Sequence, residues 1–218
     1  MMYSQCGQDA FLENTIFKGF KNGTFIDVGA HDGKSFNNTL FFEETHQWSG
    51  VNIEPIPDVY EKLKNTRPAC HNINCAIDET CGTAEFVCST GYSEMISGLK
   101  KHYDPRHEAR LDREILVHKG SKELIKVQTK TLESICDEFK IKHVHYLSID
   151  VEGAEFAVIK SINFDKVFID VIQFENNYDD SSSQIINYLK TKGYDFLRKL
   201  DFDIFMIHEE SKFLDKTI

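Results

Sequence analysis

The sequence predicts an α/β protein with a doubly wound, mostly parallel seven-stranded sheet, helices on both faces and a C-terminal antiparallel hairpin. Short apolar, β-branched segments alternate along the chain with segments of helical periodicity. A strand that runs into a glycine turn opens this series, at F-I-D-V-G-A-H-D-G-K-S, residues 25–35. Such alternation is typical of a parallel sheet that helices cover on both faces.

The 218 residues are expected to form a single domain, 1–218, because no linker, repeat or low-complexity run interrupts them. Hydrophobic residues make up 41% and charged residues 28%, which indicates a globular chain rather than a disordered one. Segment 90–120 is less regular and is the candidate for a substrate-side insertion or lid. A solvated amphipathic helix is the alternative for this segment.

The first half of the chain begins with the strand Thr24–Val28, which is apolar, β-branched and closed by a glycine. A helix with Ser35 as its N-cap is predicted over 35–45. A proline stops the second strand, 50–54, and another proline opens the helix Pro57–Thr66 at the position that proline favours. Two further strands are predicted over 71–77 and 84–89.

The second half repeats the alternation. Residues 124–129 alternate in polarity as a strand does, and 144–149 and 167–174 are strongly apolar, as expected for buried parallel strands. A tight link joins 194–197 to 203–207, which predicts an antiparallel pair. Helices are predicted between these strands over 131–139, 154–162 and 183–192.

The glycine turn disfavours ligands that carry phosphates. The dinucleotide fingerprint needs three glycines, spaced Gly-x-Gly-x-x-Gly, and only Gly29 and Gly33 are present. Asp27 and Asp32 would repel a pyrophosphate. The Gly-Lys-Ser string also lacks the first glycine of a P-loop, because Val28 stands in its place.

S-adenosylmethionine fits the turn better because it has no phosphate. Asp27 can bind its ammonium group, and the backbone amides near Gly29 and at the helix start can bind its carboxylate. Glu54 ends the second strand and is the expected acceptor for the two ribose hydroxyls, although alone it could be a solvated strand end. The end of the third strand would border the adenine through Cys75, Ala76 and Ile77.

The chain resembles the FkbM family of S-adenosylmethionine-dependent methyltransferases, and four strings carry the resemblance. They are F-I-D-V-G-A-H-D-G-K-S followed by N-I-E-P-I-P, the opening Y-S-Q-C-G-Q-D, T-L-E-S-I-C, and Y-L-S-I-D-V-E-G-A-E. The resemblance covers nearly the whole chain and implies a Rossmann-like class I methyltransferase fold. It also implies methyl transfer to oxygen, most often on a sugar hydroxyl, in bacteria or large DNA viruses.

The family opening implies that Gln5, Gln8 and Asp9 reach the methionine end of the cofactor or cover the site. The alternative is an N-terminal helix cap by Ser4 or Asp9. The residues predicted to bind the cofactor are Gln5, Gln8, Asp27, Gly29, His31, Gly33, Ser35, Glu54, Cys75 and Ala76.

Acidic and amide side chains follow the fourth and fifth strands at the points where those strands end. Because the carboxyl ends of parallel strands meet at one edge of a sheet, these side chains are expected to face the cofactor crevice. They are Asp150, Glu152, Glu155, Glu175, Asn176, Asn177 and Tyr178.

Two mechanisms of methyl transfer to a hydroxyl follow, and the sequence leaves both open. In the first, Asp150 or Glu152 is a general base, with a pKa raised by neighbouring acids such as Glu175. In the second, Asp150, Glu175 and Asn176 hold a divalent cation, Mg²⁺ or Mn²⁺, which lowers the pKa of the hydroxyl. Metal-dependent O-methyltransferases have similar residues after these strands. Glu155 instead suits the first turn of the following helix.

His102 and His107 are an alternative base if segment 90–120 folds over the site. The net charge of -10 disfavours nucleic acid as a partner, and the apolar runs are too short for a membrane span. The N-terminus lacks a basic region followed by an apolar run, so the cytoplasm is expected, that of the host if the source is viral.

The predicted function is therefore an S-adenosylmethionine-dependent O-methyltransferase with a carbohydrate acceptor, a glycan or glycoconjugate. A non-catalytic cofactor-binding domain of a glycan assembly complex is the main alternative, because this fold alone does not prove activity. A dinucleotide-dependent oxidoreductase is a further alternative that lacks the glycine spacing.

Overall fold

The computed structural model describes residues 1–176 and 179–214. Its helices are α1 (Gln8–Phe11), α2 (Leu40–His46), α3 (Pro57–Thr66), α4 (Pro105–His118), α5 (Leu132–Phe139), α6 (Glu155–Lys160) and α7 (Asp179–Lys190). Its strands are β1 (Thr24–Val28), β2 (Ser49–Ile53), β3 (His71–Ile73), β4 (Ala76–Ile77), β5 (Gly82–Ser89), β6 (Gly98–Leu99), β7 (Lys122–Lys130), β8 (His143–Ile149), β9 (Phe168–Glu175), β10 (Tyr194–Leu200) and β11 (Asp203–His208). The predicted Asn177 and Tyr178 lie outside the described residues.

The main sheet has seven strands in the order β10-β11-β9-β8-β1-β2-β3. The pairs from β9 to β3 are parallel, whereas β11 runs antiparallel to both β9 and β10. This arrangement confirms the predicted sheet and its C-terminal hairpin. The strand order reverses between β1 and β8, which places the ligand crevice of a doubly wound fold at their carboxyl ends.

Both faces of the main sheet are covered. On one face, Leu147 and Val158 belong to a core that α5, α6 and α7 build against the strands. On the other face, Phe17 and Phe42 pack with Trp48 and Tyr146 in an aromatic cluster. The burial of both faces explains why nearly every residue of β8 and β9 is buried, rather than every second one.

A second sheet, in the order β4-β7-β5-β6, was not predicted from the sequence. The predicted strand over 71–77 divides between the two sheets, because β3 pairs with β2 whereas β4 pairs with β7. Asn74 marks the break, since its side-chain amide donates to the carbonyl oxygens of Glu54 and Pro55. Segment 90–120 connects β5 to β7 and contains β6 and α4.

The helix after the glycine turn begins at Leu40 and not at Ser35 as predicted. Phe36 has a φ of 54°, which breaks the helical path. Asn37 Oδ1 instead accepts hydrogen bonds from the amides of Thr39, at 3.0 Å, and Leu40, at 2.8 Å. Ser35 donates its hydroxyl to Asp32 and so belongs to a turn before the helix.

Segment 90–120 combines two short 3₁₀ turns, Gly91–Ile96 and Lys100–His102, with α4. Asp104 caps α4 by accepting a hydrogen bond from the Arg106 amide at 2.7 Å. Leu111 is fully buried against β5, whereas Leu116 on the opposite face of α4 is exposed. Within the described part of the chain, no helix is both long and apolar enough to cross a membrane.

Candidate active site

A cavity of about 830 Å³ opens at the carboxyl edge of the main sheet, where β1 and β8 end. It brings together residues that the sequence places far apart, from the N-terminal turn to β11. The predicted cofactor, catalytic and metal residues that line this cavity are Gln5, Gln8, Asp27, Gly29, His31, Ser35, Glu54, Cys75, Ala76, Asp150, Glu152 and Glu175. Gly33, Asn176, Asp9 and the alternative bases His102 and His107 do not line it.

The backbone amides after β1 are already used within the protein. Gly29 and Ala30 both donate to the Ile53 carbonyl at 3.0 Å, and His31 donates to Glu54 Oε2 at 3.1 Å. The sequence assigned amides in this turn and at the helix start to the carboxylate of a cofactor. These bonds instead hold the turn against β2 and leave those three N–H groups engaged.

A buried network supports Asp27 at the end of β1. Its Oδ2 accepts hydrogen bonds from Asn37 Nδ2 at 2.9 Å and from Thr39 Oγ1 at 2.8 Å. Arg67 is fully buried, donates to Asn37 Oδ1 and Thr39 Oγ1, and pairs with Glu43. Burial raises the pKa of Asp27, and the nearby Arg67 charge opposes that rise. The network orients the Asp27 side chain, which lines the cavity.

Gly33 lies behind the cavity, against α3. A Cβ atom there would be 2.7 Å from both Arg67 Cγ and Leu63 Cδ1, and the φ of 79° already favours glycine. The glycine therefore allows the turn to pack on Arg67, which donates to its carbonyl oxygen at 3.2 Å.

Glu54 follows β2 and is buried at the cavity wall. Its Oε1 accepts a hydrogen bond from the Ile56 amide at 2.8 Å and its Oε2 accepts one from His31. Burial raises the pKa of Glu54 to about 7, although these two hydrogen bonds lower it. The backbone bonds fix the carboxylate, and each oxygen keeps a lone pair for a ligand hydroxyl.

An apolar wall stands beside Glu54. Cys75, Ala76 and Ile77 are buried and line the cavity together with Phe86 and Leu99 of the second sheet. Burial raises the pKa of the Cys75 thiol to about 12, so it is uncharged at neutral pH. A flat heterocycle such as adenine could pack against this wall.

Asp150, Glu152 and Glu175 form an acidic cluster, with one carboxylate oxygen of each within 4.8 Å of the others. Asp150 is exposed to the cavity, and the protein around the cavity desolvates its carboxylate. This desolvation, with the charges of Asp203 and Glu155, raises the pKa of Asp150 to about 7. The cluster is thus able to hold a proton or to neutralise a bound cation at neutral pH.

Glu152 is the buried member of the acidic cluster. His107 Nδ1 lies 3.4 Å from Glu152 Oε2, and Arg110 Nη1 lies 3.9 Å from it. Burial and the Asp150 charge raise the pKa of Glu152 well above its ordinary value. His107 reaches this site from behind Glu152 and does not line the cavity, and burial lowers its pKa. His102 is turned away from the cavity and contacts Asp78.

Two residues near the acidic cluster, Glu155 and Asn176, do not line the cavity. Glu155 Oε1 accepts hydrogen bonds from the amides of Gly153 at 3.0 Å and Val151 at 3.4 Å, which agrees with its expected place at the start of α6. The backbone N–H of Asn176 donates to the Phe202 carbonyl oxygen at 2.6 Å, and Asn176 does not line the cavity. Glu152 contributes the third carboxylate of the cluster with Asp150 and Glu175.

The N-terminal turn reaches the site through Gln8. Its Nε2 donates to Asp203 Oδ2 at 2.6 Å, while Gln173 donates to the other oxygen of Asp203 at 2.7 Å. Gln5 lies exposed at the cavity, whereas Asp9 accepts bonds from Tyr3 and other groups of its own turn. The N-cap of α1 is Gly7, which has no side-chain cap bond, so the predicted cap by Ser4 or Asp9 is not formed; Asp9 instead ties the preceding turn to α1.

Sequence reasoning missed Asp203, although its position contained a signal. Because β11 runs antiparallel to β9, its first residue lies at the edge where β9 ends, and Asp203 pairs in register with Glu175. It also missed Glu94, which crosses from segment 90–120 to the glycine turn. Glu94 Oε1 lies 3.0 Å from His31 Nε2 and 3.8 Å from Lys62 Nζ. Both acids line the cavity.

Comparisons with known proteins bear on the family and the fold of the chain. A family model described as "Methyltransferase FkbM domain" matches residues 27–196. No curated protein has a sequence that matches this chain significantly. Among solved structures, the methyltransferase FkbM of Methylobacillus flagellatus KT is 13% identical, with a TM-score of 0.54. That likeness concerns the fold; it covers 87% of this chain but only 44% of that one.

Two further solved structures are similar at lower scores. Precorrin 8W decarboxylase of Methanobacterium thermoautotrophicum is 11% identical over 91% of this chain and 87% of that chain, with a TM-score of 0.47. Fibrillarin of Aeropyrum pernix, solved with natively bound S-adenosyl-L-methionine, is 13% identical over 87% and 66%, with a TM-score of 0.44.

Proposed function

The chain belongs to the family of FkbM methyltransferase domains, and from this we propose that it is an S-adenosylmethionine-dependent O-methyltransferase that methylates a sugar hydroxyl of a glycan or glycoconjugate. The observation that carries the proposal is the acidic cluster of Asp150, Glu152 and Glu175 beside the glycine turn. It provides a proton acceptor at the edge of the sheet where the cofactor of such a fold would lie.

The cofactor would extend from the N-terminal turn to the second sheet. Glu54 would accept hydrogen bonds from the two ribose hydroxyls, and the apolar wall of 75–77 would border the adenine. Asp27 and the amides of Gln5 and Gln8 would face the methionine end, where an acidic group favours the ammonium. When bound, the cofactor supplies an electrophilic methyl group and leaves as S-adenosylhomocysteine.

The chemistry left to the protein is to orient the acceptor hydroxyl and to take its proton. The oxygen forms a bond to the methyl carbon as the bond from carbon to sulfur breaks, and the proton passes to a carboxylate. We assign this step to Asp150, because it is the cluster member exposed to the cavity and its pKa of about 7 suits a general base at neutral pH. Desolvation and the charges of Asp203, Glu155 and Asp27 raise that pKa, whereas a hydrogen bond with Glu175 lowers it.

A divalent cation is the second route to an activated hydroxyl. Asp150, Glu152 and Glu175 offer the hard oxygen ligands that Mg²⁺ and Mn²⁺ prefer, and their carboxylate oxygens are close enough together to share one ion. Glu152 is then a third carboxylate ligand, beside the Asp150 and Glu175 that the sequence predicted. A cation would also relieve the repulsion among three desolvated carboxylates.

Incubation with methyl-labelled S-adenosylmethionine and a panel of monosaccharides and oligosaccharides tests this proposal. Transfer of the label to a sugar oxygen, lost in Asp150→Asn, is the expected result. Saturable cofactor binding with no transfer to any acceptor would favour the alternative of a non-catalytic cofactor-binding domain. Absence of cofactor binding would contradict the proposal altogether.

A further inference from the structure

The lining of the cavity is strongly acidic. The carboxylate side chains that line it are Asp27, Glu54, Glu94, Glu114, Asp150, Glu152, Glu175 and Asp203. Among the described residues, Arg110 is the only lysine or arginine that lines it. Arg110 is already paired, since its Nε lies 3.1 Å from Glu114 Oε1 and its Nη1 lies 3.9 Å from Glu152 Oε2. No lysine or arginine in the described lining is therefore left to bind a phosphate or carboxylate.

Exposed aromatic rings form a rim on the same cavity. Phe36 is 55% exposed, Tyr92 is 70% exposed and Phe202 is 62% exposed. They come from three separate connections: the loop after β1, the 3₁₀ turn Gly91–Ile96 and the turn between β10 and β11. Apolar rings that converge on a cavity from different loops are typical of a ligand site, because their exposure to water is otherwise unfavourable.

The side-chain amide of Asn38, which is buried at the cavity, also lacks one of its hydrogen-bond partners among the described residues. Asn38 Nδ2 donates to Ser148 Oγ at 3.1 Å, but Asn38 Oδ1 has no hydrogen-bond partner among the described residues. Asn38 lines the cavity and is only 9% exposed. A buried acceptor of this kind normally has a donor, and a ligand hydroxyl could supply one.

We infer that the acceptor is a sugar without negative charge, which packs an apolar ring face against the rim of Phe36, Tyr92 and Phe202. This inference rests on the proposed function and narrows it to acceptors without phosphate, diphosphate or carboxylate groups. A phosphate would bring nearly two negative charges into a lining of carboxylates in which the described residues include no unpaired lysine or arginine. A pyranose instead presents C–H groups that suit aromatic faces and hydroxyls that suit carboxylate and amide acceptors.

Pairs of acceptors that differ only in carrying an anionic group test whether the acceptor must be uncharged. Methyl glycosides of common hexoses, deoxyhexoses and pentoses are assayed with labelled cofactor beside their phosphate, nucleoside diphosphate and uronic acid counterparts. The neutral member is expected to have a kcat/KM at least tenfold higher than its anionic counterpart. Equal or better use of the anionic members would overturn the inference while leaving sugar methylation in place. If the cofactor binds but no sugar of either kind is methylated, the carbohydrate proposal fails, and this inference fails with it.

Variants of the rim test the packing. Tyr92→Ala and Phe202→Ala are expected to raise the KM for the best acceptor at least fivefold without changing the Kd of the cofactor. Phe196→Ala is the matched control, because Phe196 is 50% exposed on β10 and does not line the cavity. An unchanged KM in both rim variants, or an equal rise in the control, would contradict the assignment of the rim to the acceptor.

Discussion

A Cβ atom added to Gly29 would lie 1.8 Å from the carbonyl oxygen of Asp150. The ends of β1 and β8 are therefore in direct backbone contact, and the Asp150 amide also donates to the Val28 carbonyl at 2.9 Å. Because of this contact, the turn proposed to hold the cofactor and the carboxylate proposed as base are parts of one rigid edge. Their relative position is set by the sheet rather than by flexible side chains.

Gly29→Ala is expected to reduce the free energy of unfolding by roughly 2 kcal/mol or more and to abolish cofactor binding. The substitution combines a φ of 87° with the collision at Asp150. Gly19→Ala is the control, since Gly19 has a φ of 79° but no atom within 4 Å of the position that an added Cβ would occupy. The control should lose only about 1–2 kcal/mol. Denaturant unfolding measures the free energy of unfolding of both variants. Equal losses of stability in the two would contradict the role of the close contact between Gly29 and Asp150.

The pH dependence of turnover reports on Asp150. A base whose pKa is about 7 should give a kcat/KM that rises with pH through about 7. Asp203→Asn should move this midpoint to lower pH, because the Asp203 charge contributes to the raised pKa of Asp150. Asp195→Asn on the exposed surface of β10 is the control. A flat profile, or an equal shift in both variants, would argue against Asp150 as the base.

Glu54 should make the protein less stable as pH rises. Its folded-state pKa of about 7 lies above the ordinary value of 4.5, so the folded chain retains a proton that the unfolded chain has lost. Stability is therefore full below pH 4.5 and falls towards pH 7, by up to about 3 kcal/mol. Glu54→Gln should flatten this dependence in unfolding measured across the range. If the free energy of unfolding of the variant still falls with pH as steeply as that of the wild type, groups other than Glu54 cause the pH dependence.

Removal of divalent cations separates the two mechanisms. If Asp150, Glu152 and Glu175 hold a metal, a chelator should abolish turnover, and added Mg²⁺ or Mn²⁺ should restore it. If Asp150 acts as the base, activity should be unaffected by the chelator. Cofactor binding measured in parallel is the control, because neither mechanism places the ion on the cofactor.

Much of the fold could be predicted because its signals are local. A glycine follows β1, a proline follows β2 after one intervening residue, and the start of α3 is marked by its own proline. The second sheet could not be predicted, because β5 and β7 pair across the whole of segment 90–120. The start of α2 was misplaced since Ser35 and Asn37 are both good capping residues, and only the positive φ of Phe36 decides between them.

The sequence predicted those site residues whose positions are determined by the end of a strand. Glu54, Asp150 and Glu175 follow strands directly, so topology alone brings them to one edge. Arg67 was not predictable, because its role depends on the side chain passing beneath the glycine turn from the end of α3. The carbohydrate acceptor, the exclusion of nucleic acid and the cytoplasmic location stay predictions.

Calorimetric titration with S-adenosylmethionine tests the central claim most directly. The wild-type protein should bind one equivalent saturably, and Glu54→Ala should bind at least tenfold more weakly because the ribose loses its acceptor. Glu61→Ala is the matched control, since Glu61 is an exposed carboxylate on α3 that pairs with Lys64 and does not line the cavity. The account predicts a loss of affinity in Glu54→Ala alone. An absence of binding to the wild type at millimolar cofactor would contradict it.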